Sequence, residues 1–77
     1  MQYIVTFYTQ NGAFKFQRFL KDKGIDVKLM PTPRVLSSSC GISAAFEYEE
    51  DITGFIIEEV DAIYKRNNNQ YNLVYRD

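Results

Sequence analysis

The chain has 77 residues, a single Cys, no His, and nine Lys plus Arg against ten Asp plus Glu, for a formal net charge of −1. Without imidazole, Ser-His-Asp and Cys-His catalysis and histidine metal sites are excluded, and a lone Cys cannot form an internal disulfide or hold a structural zinc within one chain. The slightly acidic balance argues against binding nucleic acid or an anionic membrane, since both reward a basic face.

Residues 2–8 (Gln-Tyr-Ile-Val-Thr-Phe-Tyr) are β-branched and aromatic on both alternating sets, which predicts a central strand. Thr9 or Asn11 is a candidate helix N-cap, and residues 13–23 place Ala13, Phe16, Phe19 and Leu20 at helical spacing, with Lys15, Gln17, Arg18 and Lys21 mostly opposite. Lys23-Gly24 is a helix stop. Residues 25–30 alternate, with Ile25, Val27 and Leu29 inward, and predict a half-buried strand that Pro31 and Pro33 end. Residues 31–41 form a long irregular connection. Residues 42–48 alternate again, with Ile42, Ala44, Phe46 and Tyr48 on one face. A second helix is expected over about 51–66, with Ile52, Phe55, Ile56, Val60 and Ile63 as its apolar stripe. Glu49, Glu50 and Asp51 at its start and Lys65 and Arg66 at its end suit the helix dipole. Asn67-Asn68-Asn69 is a turn, and residues 70–76 are the last strand.

The order β-α-β-loop-β-α-β predicts one α+β domain over 1–77, a ferredoxin-like split βαβ sandwich (βαββαβ). Its four-stranded antiparallel sheet would run 4-1-3-2, with both helices on one face. The other face would then be partly bare, which predicts weak homodimerisation or partner docking there. Six Phe and six Tyr supply a core for so short a chain. No apolar run approaches the roughly 18 residues of a membrane span, and Met1-Gln2-Tyr3-Ile4-Val5 reads as a strand with no basic leader region. A reducing, cytoplasmic location is the expectation.

The segment most suggestive of chemistry is Pro31-Thr32-Pro33-Arg34-Val35-Leu36-Ser37-Ser38-Ser39-Cys40-Gly41. Connections this long, when ordered, are often functional. The prolines stiffen its start. A free Cys usually acts as a small buried hydrophobe, but three serines before Cys40 and a glycine after it favour an accessible, reactive thiol. Arg34 either lies over apolar surface or favours a thiolate or bound anion. The serines either decorate a turn or supply hydroxyl and backbone N–H donors. Gly41 permits unusual backbone angles and close approach of a partner. The acidic run Glu47, Glu49, Glu50 and Asp51 reads as a solvated helix start and not a carboxylate dyad.

The spacing of Pro31-Thr32-Pro33-Arg34, two variable positions, then Ser37-Ser38-Ser39-Cys40-Gly41 resembles the signature of the Se/S carrier protein-like family of short bacterial and archaeal proteins. The opening strand followed by Thr9, the helix ending before Gly24-Ile25, and the strand running into Pro31 extend the resemblance over most of the chain. Ser43 departs from it, standing where a small apolar residue is expected. The resemblance implies that Cys40 carries sulfur or selenium, received from a protein donor and passed to a protein acceptor; no metal and no cofactor are expected.

One cysteine suits such chemistry. A thiolate at Cys40 would take the terminal sulfur of a donor persulfide, and a neighbouring second thiol would resolve the product too early. Arg34, Ser38, Ser39 and Gly41 would surround the anionic cargo, as backbone nests do. The expected role is a carrier more than a turnover enzyme. An alternative is a small regulatory or binding module that holds an anionic ligand through Arg34 and Ser37–Ser39, with Cys40 incidental. An RNA-recognition domain using Tyr3, Phe7, Phe46 and Tyr48 lacks the basic, glycine-containing signature. A purely structural protein dimerising through its sheet face is the remaining reading.

Overall fold

The computed structural model describes residues 1–77 and gives the order β1 (Gln2–Phe7), α1 (Gln10–Lys21), β2 (Lys28–Pro31), β3 (Ile42–Glu47), a 3-10 turn (Thr53–Phe55), β4 (Val60–Asn67) and β5 (Gln70–Arg76). All five strands form one antiparallel sheet in the order β2-β3-β1-β4-β5. The expected ferredoxin-like sandwich with four strands and two helices does not form. There is one α-helix, and most of the segment expected as the second helix, about 51–66, is the 3-10 turn and strand β4.

The reason lies in the local chemistry of that segment. Ile52, Thr53, Ile56, Ile57, Val60 and Ile63 are β-branched and Gly54 interrupts them, so a helix would lose side-chain and backbone entropy along its length. Asp51 instead folds back on the next residues. Its Oδ1 accepts from the Thr53 hydroxyl at 2.6 Å and the Thr53 N–H at 3.0 Å, which holds its carboxyl below the usual carboxylate range. Downstream, Asn67 faces Gln70 across Asn68-Asn69, and Asn68 has φ 58°, a left-handed angle that asparagine tolerates. The Asn run is thus a two-residue hairpin turn between β4 and β5. The apolar stripe assigned to the helix does contain core residues: Phe55, Val60 and Ile63 are buried, but on a turn and a strand.

Helix α1 forms as its sequence dictates. Thr9 is the N-cap, its Oγ1 accepting from the Gly12 N–H at 3.0 Å. At the other end Ile25 N–H reaches Leu20 C=O at 3.0 Å and Gly24 N–H reaches Lys21 C=O at 2.9 Å, with Gly24 at φ 80°. This closes the helix carbonyls in the manner of a Schellman cap. Gly12, Ala13, Phe16 and Leu20 are its buried face. No helix is long and apolar enough to cross a membrane.

Each face of the sheet has its own core. Tyr3, Val5 and Phe7 of β1 face α1 together with Ala44, Phe46, Val60 and Ile63, and Phe55 packs into the same core against Phe46. On the opposite face Ile4, Ala45, Ala62 and Tyr64 are buried, with Met30, Leu36 and Tyr71 packed against them. The face expected to be bare, and to carry a homodimer, is therefore covered at its centre by the chain's own side chains.

Candidate functional site

The Cys40 segment begins where β2 ends and stops where β3 begins. Pro31 faces Ile42 in the β2–β3 ladder, and Thr6 near the end of β1 faces Ser43. The loop therefore emerges at the end of the sheet where β1 passes into α1, the end that also carries the positive pole of the helix.

Three hydrogen bonds and one apolar contact fix its shape. At the base, Thr32 N–H donates to Gly41 C=O at 3.0 Å, continuing the ladder by one step beyond the strands. Beside it the hydroxyls of Thr32 and Ser43 meet at 2.8 Å. Ser43 is fully buried, and this bond is what makes its hydroxyl tolerable there. Further out, Leu36 N–H donates to Pro33 C=O at 3.0 Å, closing a turn over Arg34 and Val35. Leu36 then inserts its side chain into the core opposite the helix. Proline stiffness is thus supplemented by a hydroxyl latch and an apolar anchor, neither of which was identified from the sequence. The departure at Ser43 was the available signal for the latch.

A mutational asymmetry follows. Thr32→Val strands the buried Ser43 hydroxyl and is expected to cost about 1 kcal/mol, the low end for an unsatisfied hydroxyl because β2 lies at the sheet edge. Ser43→Ala leaves only the part-buried Thr32 hydroxyl, which water can reach, and should cost less. Urea denaturation of the two variants measures the difference; equal losses would mean that the pair does not work as a latch.

Cys40 is a free, half-buried thiol. Its side chain packs against the helix-side core, its S–H donates to Ile42 C=O at 3.4 Å, and Ser38 Oγ lies 3.7 Å from Sγ. The carbonyl can only accept, whereas the Ser38 hydroxyl can also donate to a sulfur anion. Of the predicted site residues, Ser38 and Cys40 are the pair brought together. Arg34 is exposed on the Pro33–Leu36 turn with no ion-pair partner. Ser37 and Ser39 are exposed. Gly41 has φ 75°, where an added Cβ would meet no atom within 4 Å, so glycine is required by its backbone angle and not by space. Backbone N–H groups of Ser37, Ser38, Ser39, Cys40 and Gly41 donate to no acceptor within the chain.

The site therefore combines a single thiol, an adjacent hydroxyl and consecutive unpaired backbone donors on a loop tied to both faces of the sheet. Comparison with curated proteins and with solved structures gives no match. Comparison with protein families gives one that covers nearly the whole chain, residues 2–76, including the full Pro31–Gly41 segment. The chain belongs to the family described as "Putative Se/S carrier protein-like".

Proposed function

We propose that this protein carries one sulfur or selenium atom on Cys40 as a persulfide or perselenide. The observation that carries the reading is the setting of Cys40: the sole cysteine, on an anchored loop whose N–H groups from Ser37 to Gly41 have no acceptor in the chain. Loading is thiol–persulfide exchange. The Cys40 thiolate attacks the terminal sulfur of a donor persulfide R–S–SH. The Cys40–S bond forms, the donor S–S bond breaks, and the products are Cys40–S–SH and the donor thiolate R–S⁻. No net oxidation occurs, and transfer to an acceptor thiolate repeats the step in reverse.

The charge to be held is on the terminal atom, which loses its proton more readily than the parent thiol. Ser38 Oγ and the N–H groups of Ser39, Cys40 and Gly41 are donors of the kind that stabilise such an anion, and Arg34 lies on the same loop as an exposed cation with no ion-pair partner. With no second cysteine in the chain, the loaded form cannot close an internal disulfide and expel its cargo. Protein donors and acceptors are the partners this reading requires.

Intact-mass spectrometry tests it. After incubation with a low-molecular-weight persulfide, the protein is expected to gain about 32 Da, and with a selenide-derived perselenide about 79 Da, with both additions lost on dithiothreitol treatment. Cys40→Ala should abolish the additions completely. A stable bound anion in place of a reductant-sensitive adduct would support the ligand-binding alternative instead.

A further inference from the structure

The two edges of the sheet are unequally protected. β2 is four residues long, carries Lys28 and ends at Pro31, devices that discourage pairing with another chain. β5 is seven residues long, and from Asn67 to Tyr75 the sequence Asn-Asn-Asn-Gln-Tyr-Asn-Leu-Val-Tyr holds neither a charge nor a proline. In a chain that is 25% charged, this is the longer edge, and its guards, the Val74 bulge and Arg76, lie only at its far end. Leu73 and Val74 are 51% and 47% exposed on it. The closing pair of the two-residue hairpin is Asn67–Gln70. From there the alternation of an antiparallel ladder turns the N–H and C=O of Tyr71 and Leu73 away from β4, towards the open edge.

We propose that β5 pairs antiparallel with β5 of a second copy of this chain, forming a two-fold dimer with a continuous ten-stranded sheet. The edge is self-complementary about Asn72. In that register Tyr71 faces Leu73 of the second copy and Leu73 faces its Tyr71, a cross-strand aromatic–aliphatic pair on each side of the axis. Asn72 faces Asn72 on the axis. No two like charges meet, and the outward N–H and C=O groups of Tyr71 and Leu73 satisfy one another. The strand bulge between the Ile63 and Tyr64 registers leaves Val74 unpaired with β4, which confines the flat edge to Gln70–Leu73 and makes the association weak. Tyr71 also lines a groove of about 320 Å³ with Val35 and Leu36 at the tip of the Cys40 loop. Leu73 of the second copy would border that groove, so dimerisation would place a second chain beside the loop without covering Cys40.

Sedimentation equilibrium and amide hydrogen exchange across about 20 µM to 1 mM test the proposal in the range where weak self-association is populated. The weight-average mass is expected to rise from the 9.0 kDa of one chain towards twice that value. The Tyr71 and Leu73 amides should gain protection in parallel, while amides of the β2 edge do not. Leu73→Lys, at an exposed position, should hold the mass at one chain and leave thermal unfolding unchanged. A monomer at 1 mM with no concentration-dependent protection overturns the proposal and leaves the edge to a strand of another protein. A dimer that leaves Tyr71 and Leu73 unprotected assigns the contact elsewhere, whatever the variant does. Neither readout depends on sulfur loading, so failure here and failure of the carrier chemistry are separately visible.

Discussion

Phe46→Ala is expected to cost about 3–5 kcal/mol, the range for truncating a buried aromatic side chain. Phe46 is 3% exposed and stands where separate parts of the chain converge. Its ring centroid is 5.4 Å from that of Tyr3 on β1, 5.8 Å from Phe16 on α1 and 5.9 Å from Phe55 on the 3-10 turn. Truncation opens a cavity that none of these rings can fill without abandoning its own neighbours. For 77 residues the whole stability should be about 4–12 kcal/mol, so this one side chain accounts for a large share. Cys40→Ser is the contrast. Its sulfur touches only the margin of the same core and already has polar neighbours, so the loss should stay below about 1 kcal/mol. Guanidinium denaturation of both variants ranks them. A cysteine variant as unstable as the phenylalanine variant would make the thiol a core residue and remove the basis for its reactivity.

The second large effect inverts a common rule. Replacing Gly by Ala within a helix usually stabilises by roughly 0.5–1 kcal/mol through backbone entropy. At Gly12 the opposite is expected, a net loss of about 1–3 kcal/mol from overpacking. A Cβ there would lie 2.8 Å from Glu59 Cβ and 3.1 Å from its Cγ. The Glu59 Cβ is fixed by the backbone and no side-chain rotation moves it; a χ1 change relieves only the Cγ contact. Relief requires moving the turn that leads into β4, whose first residue, Val60, is buried against β1. The Lys15 Nζ–Glu59 Oε2 pair at 3.2 Å spans the same contact from the solvent side but is too exposed to hold it by itself. Thermal unfolding of Gly12→Ala decides the sign; a higher melting temperature would mean that the turn yields at no cost.

β1, α1 and β3 were legible because each has one clear periodicity: two apolar sets in Gln2–Phe7, a 3.6-residue stripe through Phe16 and Leu20, and alternation through Ala44 and Phe46; of the strand expected over 25–30 only Lys28–Met30 forms, and it runs on through Pro31, whose missing N–H costs little at a sheet edge. Residues 51–66 carry both periods at once. Ile52, Phe55, Ile56, Val60 and Ile63 fit a helix, while Val60-Asp61-Ala62-Ile63-Tyr64 fits a strand buried on two faces. The second reading prevails because Asn68-Asn69 supplies a hairpin turn and β1 a free edge to pair with, and the latter is a tertiary fact. The same competition sets the sheet order: β4 takes the place beside β1 expected for residues 70–76, and those residues form the outer strand. Within the candidate site, the loop's unusual composition marked it from the sequence. Its attachment through Thr32–Ser43 and Leu36 did not show, since a hydroxyl pair and one leucine have no periodic signature.

The central position of β1 has a kinetic consequence. Gln2 pairs with Glu47 on one side and with Arg66 on the other, so β1 precedes both of its partner strands in the chain and has neither ladder until they follow. As the chain leaves a ribosome, β1 and α1 emerge with no sheet to join until β3 appears, and the ladder on the other side waits for β4. Loop-closure entropy must be overcome before either ladder returns any stabilisation. The nascent chain therefore exposes Tyr3, Ile4, Val5 and Phe7 until β3 and then β4 have emerged, and the sheet cannot close before they do. A chain built in this order depends on rapid closure once the β4–β5 hairpin, its one fully local strand pairing, has formed.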